Sequence, residues 1–210
     1  MEKTYTQIAG RSVERLNALS DGLFAIAMTV IVLDIRVPPL AAVHSEAQLW
    51  AALSALAPSI VTYLMSFLTL GIFWIGQQTQ LNHFKSADRN LSWIQLAFLA
   101  AVAALPFTTH LLSEFITFRV ALLIYWANIS VLGALLLISW TYAEHAGLVA
   151  DDGQPDLSGA ILRRIVLAQA LYAVGAALCI FNTFVSIAAI VALQIYFAVG
   201  PRLEVRRTEV

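Results

Sequence analysis

Apolar residues run along the chain in six blocks, at about 16–37, 48–76, 90–112, 115–142, 160–181 and 183–200, with short polar or turn-forming segments between them. Each block predicts a membrane-crossing helix, because roughly 20 mostly apolar residues span a hydrocarbon core of about 30 Å. Pro38 and Pro39 stop the first: proline removes a backbone donor and disfavours helical geometry in the residue before it. The segment holding Gln77, Gln78, Gln80, Asn82, Lys85 and Asp88 reads as an aqueous loop or as the polar end of a helix. Residues 151–156 read as a turn-rich loop, with Asp156 or Ser158 as cap for the fifth helix. Asn182-Thr183 leaves almost no loop between the last two helices, and Pro201 follows the sixth. The first three helices do not repeat in the last three, so an inverted-repeat transporter gains no support.

Composition fits this pattern. With 210 residues, 60% of them hydrophobic and 12% charged, and a mean hydropathy of +0.80, the chain carries more apolar surface than a soluble domain of this length buries. The expected fold is an all-α membrane protein, a single domain over residues 1–210. The N-terminal apolar run lacks a small-residue cleavage site and reads as a retained helix. Of the 12 Lys and Arg residues, Lys3, Arg11, Arg15, Lys85, Arg89, Arg163, Arg164, Arg202, Arg206 and Arg207 fall on one side of a six-helix topology. Only Arg36 and Arg119 fall on the other. Basic residues concentrate in cytoplasmic loops, so both termini are expected in the cytoplasm, in the cell inner (plasma) membrane. Trp74, Trp93 and Trp140 then mark the inner interface and Trp50 and Trp126 the outer. No basic tract suggests nucleic acid, and the lone Cys179 supplies neither an intrachain disulfide nor a thiolate metal site. No cofactor is expected.

The first helix, Arg15 to Asp34, carries the chemistry. Asp21, near the inner interface, needs partners or water, because an unpaired carboxylate there is costly. Arg15, Ser20 and Asp21 form either a clasp to neighbouring helices or part of a functional site. Steps of three and four residues from Ile26 trace a stripe through Leu19, Gly22 or Leu23, Ile26, Thr29 or Val30, and Leu33. That stripe faces lipid, packs inside the protein, or lines a channel. Small residues Gly22, Ala25 and Ala27 permit close helix approach. Asp34 sits near the outer end, as an attractor of cations at the mouth or as a partner of Arg36.

Arg15, Ser20 and Asp21, followed by Gly22 and Ala25-Ile26, resemble the signature of the transmembrane protein 175 family, lysosomal potassium channels and their bacterial relatives. Phe73-Trp74, the polar segment through His83-Phe84, Asn90-Leu91 and Leu105-Pro106-Phe107 extend the resemblance over roughly residues 11–115. Leu19 replaces the motif's common phenylalanine, and Gln77 and Gln78 stand where many relatives carry a histidine pair, so histidine contacts or pH sensing do not transfer there. The resemblance implies a bacterial single-repeat subunit that assembles as a homotetramer, with first helices around a central pore. It implies a narrowest ring at Ile26, with Thr29, Val30 and Leu33 in the layers above and no carbonyl filter. It also implies passage of potassium and other monovalent cations, with no metal held beyond potassium in transit.

Other classes are weaker. His44, His83, His110 and His145 are scattered and no H-E-x-x-H, P-loop or nucleophile elbow occurs, so catalysis is not expected. A secondary transporter would build a midplane site from Gln95, Asn128, Gln169 and Gln194, and a scaffold subunit would conduct nothing.

Overall fold

The computed structural model describes residues 12–150 and 157–199. Helix α1 is Val13–Val30, opened by Ser12, whose hydroxyl accepts the Arg15 backbone N–H at 3.2 Å. It tightens into a 3₁₀ turn, Ile31–Asp34, and stops at extended Ile35, short of the expected residue 37. The β-branched run Val30-Ile31-Val32 lowers helix propensity before the prolines act.

The second expected helix is two. A short α2, Glu46–Ala55, precedes α3, Ala57–His83. Pro58, in the first turn of α3, cannot donate the bond that would carry one helix through, so the chain breaks at Leu56. Helix α3 runs past the expected residue 76, which makes Gln77 and Gln80 the buried, inward side of a polar helix end.

Helix α4, Arg89–Glu114, is capped by Asp88, which accepts the Leu91 N–H at 2.8 Å, and α5 is Arg119–His145. These two make the most extensive helix contact, and the link between them packs the Phe115 and Phe118 rings edge to face at 5.9 Å. Gly147, at φ +66°, closes α5 in a left-handed conformation that L side chains rarely adopt. Its N–H reaches Glu144 O at 3.1 Å and that of Leu148 reaches Ala143 O at 2.8 Å, a Schellman motif. Leu148, Val149 and Ala150 then lie against the end of α3: Lys85 N donates to Leu148 O at 2.9 Å and Ala150 N to His83 O at 2.8 Å.

Helix α6, Leu157–Ala177, continues into a 3₁₀ turn, Leu178–Ile180. Helix α7, Thr183–Val199, follows directly, with Asn182 Oδ1 accepting the Phe184 N–H at 2.7 Å. The expected 151–156 loop, the Asp156 cap, Pro201, Lys3, Arg11 and the three tail arginines lie outside the described residues. Ser158 takes a different role, accepting the Trp140 indole N–H at 2.9 Å. That bond corrects the belt reading for Trp140, which is buried against Phe84 and His83, whereas Trp50, Trp74 and Trp93 are exposed.

Among the described residues, five helical stretches are long and apolar enough to cross a membrane: Val13–Asp34, Ala57–His83, Arg89–Glu114, Arg119–His145 and Ser158–Ile180. Thr183–Val199 is apolar but shorter, at 17 residues. Phe24 and Phe73 both meet Phe98 in the core, at ring separations of 6.1 and 6.4 Å, so α1, α3 and α4 converge there. Large apolar side chains such as Leu64, Ile138, Val174 and Phe184 face outward while glutamines and hydroxyls are buried, the distribution expected of a bundle solvated by lipid. Among the described residues, Arg15, Lys85, Arg89, Arg163 and Arg164 share the end where Ser20, Gln77 and Ser158 make their bonds. Arg36 and Arg119 lie at the other, near the Asp34 and His110 pair.

Candidate functional site on the first helix

Helix α1 has two faces of different character. Ser20, Phe24, Ala27 and Ile31, spaced four, three and four residues apart, are buried against α3 and α4. The face carrying Ile26, Thr29, Val30 and Leu33 is directed away from the bundle: Ile26 is 62% and Leu33 74% exposed. A Cβ built on Gly22 meets nothing within 4 Å. The stripe is therefore not packed inside the subunit, which removes one of its three readings. Thr29 donates its single hydroxyl proton back to the Ala25 and Ile26 carbonyls at 3.0 and 2.9 Å. Its lone pairs are left for another partner.

A line of side-chain bonds crosses the bundle at the foot of this helix. Ser20 Oγ donates to Gln77 Oε1. Gln77 Nε2 donates to Gln95 Oε1 at 2.7 Å, and Gln95 Nε2 to Ser139 Oγ at 2.7 Å. All four residues are buried, and they join α1, α3, α4 and α5. Bonds of this kind between helices in membranes average about 0.6 kcal/mol and reach about 1.7. Closer to the surface, Asp21 Oδ1 accepts the Trp74 indole N–H and the Gln78 amide N–H, both at 2.8 Å. The carboxylate thus has partners without any cation. The Arg15 guanidinium is exposed and, among the described residues, makes no hydrogen bond or ion pair, so Ser20 and Asp21 are brought together with α3 and Arg15 is not.

Of the two readings of Asp34, the Arg36 pair does not form. The 3₁₀ turn swings it toward α4, and its Oδ1 lies 3.3 Å from His110 Nδ1. The glutamines proposed for a midplane site are occupied elsewhere. Gln95 is in the Ser20 line, Gln194 Nε2 donates to Thr69 Oγ1 at 2.6 Å, and the Gln169 side chain fills the space left by Gly133. Thr69 also meets Tyr125 Oη at 2.9 Å, in a buried hydroxyl cluster with Ser66 and Thr109.

Trp74, Gln95 and Ser139 belong to this site and were not singled out from the sequence for it. A usable signal existed: Trp74 and Gln78 are one turn apart on α3, and glutamines this deep in an apolar helix require partners.

Residues 15–106 match the family model described as the endosomal/lysosomal potassium channel TMEM175. A potassium channel of Streptomyces collinus is 32% identical over 176 residues, which is 82% of each chain. The human endosomal/lysosomal proton channel TMEM175 is 36% identical over 109 residues, half of this chain and 22% of that one. The crystal structure of a lysosomal potassium-selective channel TMEM175 homologue from Chamaesiphon minutus matches with a TM-score of 0.76 at 27% identity, over 89% of this chain and 96% of that one. A fold shared along nearly the whole chain, and 32% identity over 82% of a bacterial potassium channel, place this multi-pass membrane protein in the TMEM175 family.

Proposed function

We propose that the chain is one subunit of a potassium-permeable cation channel. Four copies assemble around a central axis, each a single domain over residues 1–210 with six crossings, α7 included, in the cell inner (plasma) membrane. The excess of basic side chains at the Ser20 end makes that end, and both termini, cytoplasmic. The observation that carries this reading is the outward apolar face of α1, anchored at its foot by Ser20 and Asp21 inside the region matched to the family. Packing within the subunit leaves Ile26 free to meet its symmetry mates.

A ring of Ile26 side chains offers no oxygen to replace an ion's water, so the ring acts as a gate that resists wetting. When it widens, a cation passes partly dehydrated, and potassium gives up water more cheaply than sodium. Thr29, one turn above, lends oxygen lone pairs because its proton is committed to its own helix. Asp34 lies toward the outer mouth, held by His110. Passive flux is the test. In proteoliposomes the protein is expected to pass potassium down its gradient without a coupled ion, and Ile26→Asn to change conductance or selectivity far more than Ile124→Asn on the outward face of α5. Equal, negligible effects, or flux strictly coupled to protons or sodium, refute the proposal.

A further inference from the structure

A groove enclosing about 220 Å³, with no α1 residue in its lining, opens between α3 and α6, with α5 as its floor and Phe197 of α7 at one edge. Two glycines line it. A Cβ on Gly76 would sit 3.5 Å from Leu136, and Gly133 leaves the space that the Gln169 side chain enters. Ile161, Arg164, Ile165, Ala168 and Tyr172 line it at helical spacing along α6, and Ile72, Gly76, Thr79 and Gln80 do so along α3. Its rim at Ile75, Thr79, Ala160 and Arg164 is exposed, while Phe73, Gln80 and Tyr172 in its depth are buried.

Two polar atoms of these buried residues have no partner. Gln80 uses its amide N–H on Leu136 O at 3.0 Å, yet its Oε1 accepts nothing, and the Tyr172 hydroxyl is unbonded. Both atoms are closed off from the surface, so neither is offered to a ligand in the groove. Arg164 supplies a free positive charge at the rim, at the end of the bundle that also carries Lys85, Arg89 and Arg163. An apolar trough with an arginine at its rim matches an amphiphile having a negative head and a hydrocarbon chain. The groove exceeds the roughly 150 Å³ of a dry cavity that admits benzene, so it takes a stretch of one chain and not a whole lipid.

We propose that this groove binds a membrane phospholipid with an anionic headgroup. The phosphate pairs with Arg164 at the rim, and one acyl chain lies along α6 toward Tyr172. The reading is independent of conduction, and so is its test. Full-length protein in detergent is titrated with phosphatidylglycerol and with phosphatidylcholine of identical chains, and bound lipid is read by native mass spectrometry. Phosphatidylglycerol is expected to be retained preferentially. Arg164→Ala, at an exposed position that the fold tolerates, should weaken it about fivefold, the effect of one basic side chain near anionic lipid, and leave phosphatidylcholine unchanged. Arg164→Lys should restore most of the binding, and Ala168→Phe, which fills the trough, should lower retention of both lipids. Equal wild-type retention of the two lipids, or retention unaffected by Arg164→Ala, overturns the proposal. So does an Ala168→Phe protein that keeps its lipid but changes oligomeric mass, which assigns the groove to contact between copies.

Discussion

Replacing Gln77 by leucine tests the polar line across the bundle. Gln77 is 1% exposed and holds two bonds, one from Ser20 and one to Gln95. Leucine fills nearly the same volume, so the cavity contribution is small, and the cost is the two bonds with the Ser20 and Gln95 groups they leave behind. At about 0.6 to 1.7 kcal/mol for each interhelical bond in a membrane, Gln77→Leu should destabilise the fold by about 1 to 3 kcal/mol. Ser20→Ala removes one of the same bonds and should cost about half as much. The double variant should fall short of the sum by the value of the shared bond, about 0.6 to 1.7 kcal/mol. Gln78→Ala, which frees only a rim contact to exposed Asp21, should cost about 0.5 kcal/mol or less. Equilibrium unfolding in mixed dodecylmaltoside and dodecyl sulfate micelles, followed by circular dichroism, measures all four. A Gln77→Leu variant no less stable than Gln78→Ala, or a coupling of zero between Ser20 and Gln77, refutes the claim that this line anchors α1.

Thr29→Val keeps shape but removes the lone pairs, so potassium flux in proteoliposomes should fall while the melting temperature stays within about 2 °C, since the lost hydroxyl bonds only its own helix. Gly147→Ala places a Cβ in the left-handed region and should cost about 1 kcal/mol in the same unfolding assay, with flux unchanged. Tyr125→Phe removes the hydroxyl that meets Ser66 and Thr69 and should cost about 1 kcal/mol; a neutral result there indicates that the two hydroxyls satisfy each other.

The sequence reading reached most of the fold because lipid imposes a length and an apolarity on each crossing. Loop positions were legible where aspartate or asparagine marked them, as at Asn182 and the Asp88 end of α4. It failed where a single residue acts through backbone chemistry within an apolar run: Pro58 divides α2 from α3, and Val30-Ile31-Val32 turns the end of α1 into a 3₁₀ turn that hands Asp34 to His110 instead of Arg36. Ser20 and Asp21 were visible as residues in need of partners. Their partners were not, because Trp74 and Gln77 lie more than 50 positions away and pairing between helices has no period in the sequence. Arg15 stood out by charge alone, and charge at a lipid interface requires no protein contact.

The anchored foot of α1 has a mechanical consequence. The ends of α3 and α5 are joined by backbone bonds through Lys85, Leu148 and Ala150, whereas among the described residues polar ties from α1 to α3 come from Ser20 and Asp21. A rigid tilt of α1 that preserves those ties pivots at Ser20 and releases the Asp34 and His110 pair at the far end. Ile26 lies six residues, or about 9 Å, along the arm, so a tilt of about 10° carries it about 1.6 Å. Leu33, farther out, travels about twice as far. In the proposed tetramer, four such levers moving together would change an aperture's diameter by twice the displacement of each, while the fulcrum and the helices behind it stay still.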